Sequence, residues 1–142
     1  AGTSRSQGTG ASLRRVRVVV APEAFGDGLD AAAAAAAIVA GWHRVAPGDD
    51  LVPGAADLAG ADLVVTGLAV LDWQVLRDSP LTALAAAAAQ RGVPCVVLAG
   101  RVLAGRRELA AIGVDAAHAL DGPADAASVS ALAGRAATRW SR

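Results

Sequence analysis

Leu63-Val64-Val65-Thr66-Gly67 and Cys95-Val96-Val97-Leu98-Ala99-Gly100 are the two runs on which the fold of this chain turns. Each is short, rich in β-branched residues, nearly free of polar groups and followed by glycine. A strand with one wet face alternates apolar and polar residues. A strand read as continuously apolar is covered on both faces, as in a parallel sheet between two helix layers. Outward from these runs, Val16-Arg17-Val18-Val19-Val20 reads as an earlier strand closed by Ala21-Pro22, and Asp115 to Leu120 as a later, weaker one. Helical stretches fall between them. One is expected from the alanine tract after Asp30 to about Ala46, with Asp30 accepting from the first free amides. Others are expected at Pro80 to Arg91, at Gly105 to Ile112 ended by Gly113, and at Ala124 to Trp140. In the last, Val129, Leu132, Ala133, Ala136 and Trp140 recur at helical spacing and mark its packing face. The alternation predicts an α/β fold: a three-layer, open parallel sheet of about four strands with flanking helices, Rossmann- or flavodoxin-like.

The 142 residues fit a single domain, expected over 15–142 behind a flexible polar tail at 1–14. Residues 48–61 read as a linker with one helical turn near Ala55 to Ala59. The composition, 54% hydrophobic and 18% charged, is that of a globular interior. No apolar stretch is long enough to span a bilayer. With 13 basic and 13 acidic residues the chain lacks the charge excess of a nucleic-acid binder. Every basic residue is arginine, which removes Schiff-base chemistry and the phosphate-binding lysine of a P-loop. The lone Cys95 reads as a small buried hydrophobe and offers no internal disulfide, so a cytoplasmic location is the default expectation. His43 and His118 have no metal-ligand spacing. No metal site is expected.

Right-handed crossovers bring all the strand carboxyl ends to one edge of such a sheet, and ligands bind there. The loops expected at that edge are Ala21 to Leu29, Gly67 to Ser79 and Ala99 to Leu103. Gly67 and Gly100, at the expected strand ends, would let backbone amides approach a ligand.

Val18 to Ala31, with Ala21-Pro22-Glu23-Ala24-Phe25-Gly26-Asp27-Gly28-Leu29 at its centre, resembles the opening of the bacterial glycerate kinase family, a strand followed by an A-P-D-S-F-K-G-S-L-S-A loop. Asp62 to Gln74 resembles its D-L-V-[IV]-T-G-E-G-R-[IL]-D-x-Q segment, Arg91 to Gly100 its H-G-V-P-V-I-A-L-A-G strand, and Ala111 to Ala116 its A-G-I-D-A element. The resemblance implies phosphoryl transfer from ATP to glycerate with Mg²⁺. It also implies that Glu23, Thr66, Gly67, Asp72, Gln74 and Gly100 are the ligand-binding set, with Asp72 the best catalytic candidate.

The departures are concentrated in charge. The family lysine after S-F is Gly26 here; the glutamate, glycine and arginine of T-G-E-G-R are Leu68, Ala69 and Val70; the lysine before the later proline is Ser79. The long central segment and the D-G-G-E-G-T motif have no counterpart. The leading expectation is therefore a non-catalytic or weakly active, glycerate-kinase-like binding and interaction module, with no cofactor, and with ATP and Mg²⁺ only if kinase activity is retained. The alternatives are an ATP-dependent kinase or transferase acting on glycerate or a related small hydroxy acid, and a structural subunit of a larger assembly. The apolar stretch through Leu68 and Val70 to Trp73 reads as an interface. A homodimer or protein partner is expected, and no nucleic-acid or membrane partner.

Overall fold

The computed structural model describes residues 15–54 and 57–141, so the tail expected at 1–14 lies outside the described residues. Five strands form one sheet: β1 (Arg17–Val20), β2 (Asp50–Pro53), β3 (Leu63–Leu71), β4 (Cys95–Val102) and β5 (Ala116–Ala119). Among the described residues five helices accompany them: α1 (Ala31–Val45), α2 (Trp73–Arg77), α3 (Pro80–Gln90), α4 (Arg106–Ala111) and α5 (Ala126–Trp140). All pairings are parallel and the order is β2-β1-β3-β4-β5.

The three layers follow from the strand sequences. In β1, Val18 and Val20 face one way and Val19 the other; all three are fully buried. On the first face Val18, Val20, Val65, Val96 and Leu98 pack under Ile38 and Trp42 of α1 and Val129 and Leu132 of α5. On the second, Val19, Val64, Cys95 and Val97 pack under Leu81, Ala85 and Ala88 of α3 and Leu109 of α4. The helices start where capping chemistry permits. The Asp30 carboxylate accepts from Ala33 N at 2.8 Å and Asp125 from Ser128 N at 2.8 Å. Pro80 occupies the first position of α3, where its missing N–H has no intrahelical acceptor to lose. Between α1 and α5 the backbones come unusually close: a Cβ on Gly41 would overlap the Ser130 carbonyl.

Two expectations are corrected. The segment 48–61 is not simply a linker, because Asp50–Pro53 forms β2 beside β1, with Val18 opposite Leu51. Only Leu51 and Val52 are apolar there and the strand is half-buried at the sheet edge, so its pattern was too short to read. Residues 55 and 56 of the expected helical turn are outside the described residues; at its end the Asp57 side chain accepts from Ala59 N. The second correction concerns strand length. β3 continues past Thr66 to Leu71 and β4 past Leu98 to Val102, paired through Val70–Arg101 and Leu71–Val102. Gly67 and Gly100 thus lie inside strands. Their small size admits neighbours: a Cβ on Gly67 would meet the Phe25 ring at 2.7 Å, and one on Gly100 the Ala69 carbonyl oxygen at 2.5 Å.

Candidate functional site

The strand order creates one place where a ligand is favoured. From β1 the sheet grows outward to β2 on one side and to β3 on the other, and the following helices, α1 and α3, cover opposite faces. At such a switch point the departing loops diverge and leave a crevice beyond the strand ends. A cavity of about 390 Å³ lies there. It is lined by the end of β1 and its loop (Val20 to Glu23), Gly54, Thr66, the start of α1 and the start of α3.

Backbone pairing shapes this crevice. Beyond β1, Ala21 N donates to Val65 O at 2.9 Å and Glu23 N to Gly67 O at 2.7 Å, so the loop runs alongside β3 before turning away. The Thr66 side chain is 2% exposed and its hydroxyl donates to the Ala21 carbonyl at 2.7 Å. Thr66 therefore fastens the loop and keeps only its oxygen lone pairs for a ligand. The loop then passes Gly26, whose φ of 81° lies in the left-handed region that favours glycine. Phe25 turns inward and is buried against Gly67.

Of the sequence-predicted residues, the crevice unites Glu23 and Thr66. Glu23 is half-buried, and the desolvation raises its pKa above the ordinary carboxylate value. The remaining lining is mostly apolar: Ala31, Ala32, Ala35, Pro80, Leu81 and Leu84 with Pro22 and Val20. Asp72 and Gln74 stand elsewhere. Asp72 caps α2, its Oδ1 accepting from Val75 N at 3.0 Å, and Gln74 is exposed on that helix. Gly67 and Gly100 are occupied by packing, as above. Leu68 is 5% exposed and packs with Leu71 and Leu81 in the second core, so its own chain covers it. Val70 is half-buried, whereas Trp73 is 58% exposed with the Arg77 guanidinium 5.2 Å from its ring centroid.

The lining chemistry does not fit a nucleotide triphosphate with its metal. Among the described residues Glu23 is the charged side chain of the cavity, and it is an anion. No group of three or more His, Cys, Asp or Glu side chains among the described residues is arranged to hold a metal ion. No helix there is long and apolar enough to cross a membrane.

Sequence reasoning missed Gly54, which closes the cavity from the end of β2, and the starts of α1 and α3 as its walls. Glycine after a valine-proline pair was the available signal for Gly54, but it had meaning only once β2 was recognised.

Among solved structures, a flavodoxin from the domain Archaea superposes with a TM-score of 0.51 at 13% identity, covering 89% of this chain and 100% of that one. The sugar isomerase domain of an RpiR transcription factor from Sphaerobacter thermophilus gives 0.49 at 22% identity, over 91% of this chain and 74% of that one. The flavodoxin likeness concerns the fold alone. Two proteins described as uncharacterised, from Mycobacterium bovis and Mycobacterium tuberculosis, are each 52% identical over 40 residues, 28% of this chain. The chain spans only 10% of the length of these relatives in that match. The model of the glycerate kinase family matches residues 50–139, from β2 to the end of α5. That match takes in most of the chain, including β3, β4 and the helices α3 and α4 that pack on the second face, and by it the chain belongs to the glycerate kinase family.

Proposed function

We propose that this chain is a ligand-binding module of the glycerate kinase family that does not itself transfer phosphate. One observation carries the reading: among the described residues the switch-point cavity presents one charged side chain, the Glu23 carboxylate, in a mostly apolar wall. A migrating phosphoryl group carries negative charge on its equatorial oxygens, and enzymes offset it with cations or metal ions. Loss of one such stabiliser commonly lowers the rate by roughly a hundred- to a thousandfold. Here Gly26, Val70 and Ser79 stand where the family resemblance places lysine, arginine and lysine.

The same wall suits a small hydroxylated ligand. Its hydroxyl would donate to the Glu23 carboxylate while its carbon frame rests on Ala35 and Leu84.

The rival reading, a kinase using Thr66, Asp72 and Gln74, requires those side chains to converge. Asp72 is committed to the start of α2, and neither it nor Gln74 lines the cavity with Thr66. A coupled assay with ATP, Mg²⁺ and glycerate distinguishes the two. We expect no turnover above the protein-free rate; turnover abolished by Asp72→Ala would establish the kinase instead.

A further inference from the structure

The walls of the switch-point crevice narrow what can bind there, because most of their hydrogen-bond donors are already committed. Ala21 N–H donates to Val65 O, Glu23 N–H to Gly67 O and Gly54 N–H to Val20 O. The Thr66 hydroxyl donates to Ala21 O. Pro22 and Pro80, which also line the crevice, have no N–H to give. The acceptors are open by contrast: the Glu23 carboxylate and the lone pairs of Thr66 Oγ1. Among the described residues no arginine or histidine stands in the lining beside Glu23. A carboxylate drawn partly out of water without a cation is disfavoured, which is why burial raises its pKa. Around it lies hydrocarbon, Ala35, Leu81 and Leu84, in a space of about 390 Å³.

We propose that the ligand of this crevice is a small aliphatic amine bound as its ammonium ion, its head on the Glu23 carboxylate and its carbon chain along Ala35 and Leu84. This rests on the reading of the crevice as a ligand site, and it narrows the ligand from a hydroxyl donor to a charged one. Hydrogen bonding, charge and shape select the ammonium together. It brings N–H donors to walls that offer acceptors. It supplies the counter-charge that Glu23 lacks, through a charge-assisted bond roughly twice as strong as a neutral one. Its hydrocarbon part rests on the apolar wall, which a hydrated inorganic cation cannot do. A carboxylate ligand would instead meet Glu23 as a like charge. The surrounding chain has the same sign. From Val18 to Leu76, the stretch that supplies β1, α1, β2 and β3, the basic residues are His43 and Arg44. Both lie in the last turn of α1, about 20 Å along the helix from Ala31. Arg44 donates there to Ser130 Oγ. Arg77, which precedes the Pro80 wall, is turned over the Trp73 ring. Asp27 and Asp30 stand exposed in the loop from Glu23 to α1, and a field of this sign draws cations to the mouth of the crevice. The positive ends of α1 and α3 oppose it with about half a charge each, and the Asp30 carboxylate already offsets the α1 end.

Amide NMR titration of the full chain with butylammonium, butyrate and butanol, at neutral pH and one ionic strength, tests this. The three probes share a carbon chain and differ in the head. Butylammonium should bind roughly tenfold or more tightly than butyrate, and more tightly than the alcohol, moving the amides of Glu23, Gly54 and Thr66. Glu23→Gln should remove the preference for ammonium and leave the weaker binding of the alcohol. Ala35→Leu, which fills the crevice from α1, should weaken all three probes alike. The comparison among probes on the unaltered chain decides the matter even if a variant fails to fold, as judged by circular dichroism. Equal binding of ammonium and alcohol overturns the proposal while leaving the crevice a site for hydroxylated ligands. Butyrate binding as tightly as butylammonium overturns it as well, and so does a Glu23→Gln chain that keeps the preference. Shifts confined to amides away from the crevice, or none with any probe, overturn both the proposal and the reading of the crevice as a ligand site.

Discussion

At the scale of single residues, this protein uses smallness where a sequence reading anticipates ligand contact. Gly67 makes room for the Phe25 ring and Gly100 for the Ala69 carbonyl, while Gly41 lets α1 lie against the Ser130 backbone. Cys95 is fully buried in β4, and its N–H donates to Asp115 Oδ2 at 2.8 Å. Burial, reinforced by the negative charge of Asp115, pushes its thiol from the ordinary value of 9.0 to about 12. Since the thiolate is the reactive species, Cys95 should resist a disulfide reagent at pH 8 in the folded protein and react fully in guanidinium. Rapid stoichiometric labelling of the native chain would contradict this. The linkage has a definite sign. The folded thiol keeps its proton above pH 9 while the unfolded one loses it, so this contribution to stability is complete below pH 9 and is lost as the pH rises toward 12.

Elements are tied together by polar contacts at their ends, and Asp49 serves two of them at once. The buried Trp42 of α1 donates from Nε1 to Asp49 Oδ2 at 2.9 Å, and the Ser141 hydroxyl, just past α5, donates to the same oxygen. One carboxylate at the entrance to β2 thereby joins two helices to an edge strand. Asp49→Ala would leave the indole N–H of a fully buried residue without an acceptor, which costs about 1–3 kcal/mol. Urea unfolding should register that loss, and Asp49→Asn, which keeps an acceptor oxygen, should cost less. Equal losses in the two variants would mean that the charge rather than the hydrogen bond matters. α2 has a simpler construction: five residues begun by the Asp72 carboxylate, ending before Ser79, with Trp73 left in solvent under Arg77.

Over the whole molecule, the sheet separates two apolar cores, and its three central strands contribute to both. β1, β3 and β4 are flanked by strands on both sides; β2 and β5 are not. Hydrogen exchange measured where the chain is dilute should find amides of β2 and β5 exchanging before those of β1, β3 and β4. Slow exchange in β2 matching that of β3 would contradict the division into centre and edge.

Much of this arrangement was legible in the sequence because periodicity and capping are local. Continuous β-branched runs marked β1, β3 and β4; Asp30 and Pro80 marked the starts of α1 and α3; the family blocks were already in register. β2 escaped because two apolar residues on a half-buried edge make no period, and the true ends of β3 and β4 escaped because Gly67 and Gly100 looked like turn residues. The strand order, and with it the meeting of Glu23 with Thr66 and Gly54, was decided only by tertiary packing. Such neighbours are set by how helices seal the two faces of a sheet, through contacts between residues far apart along the chain.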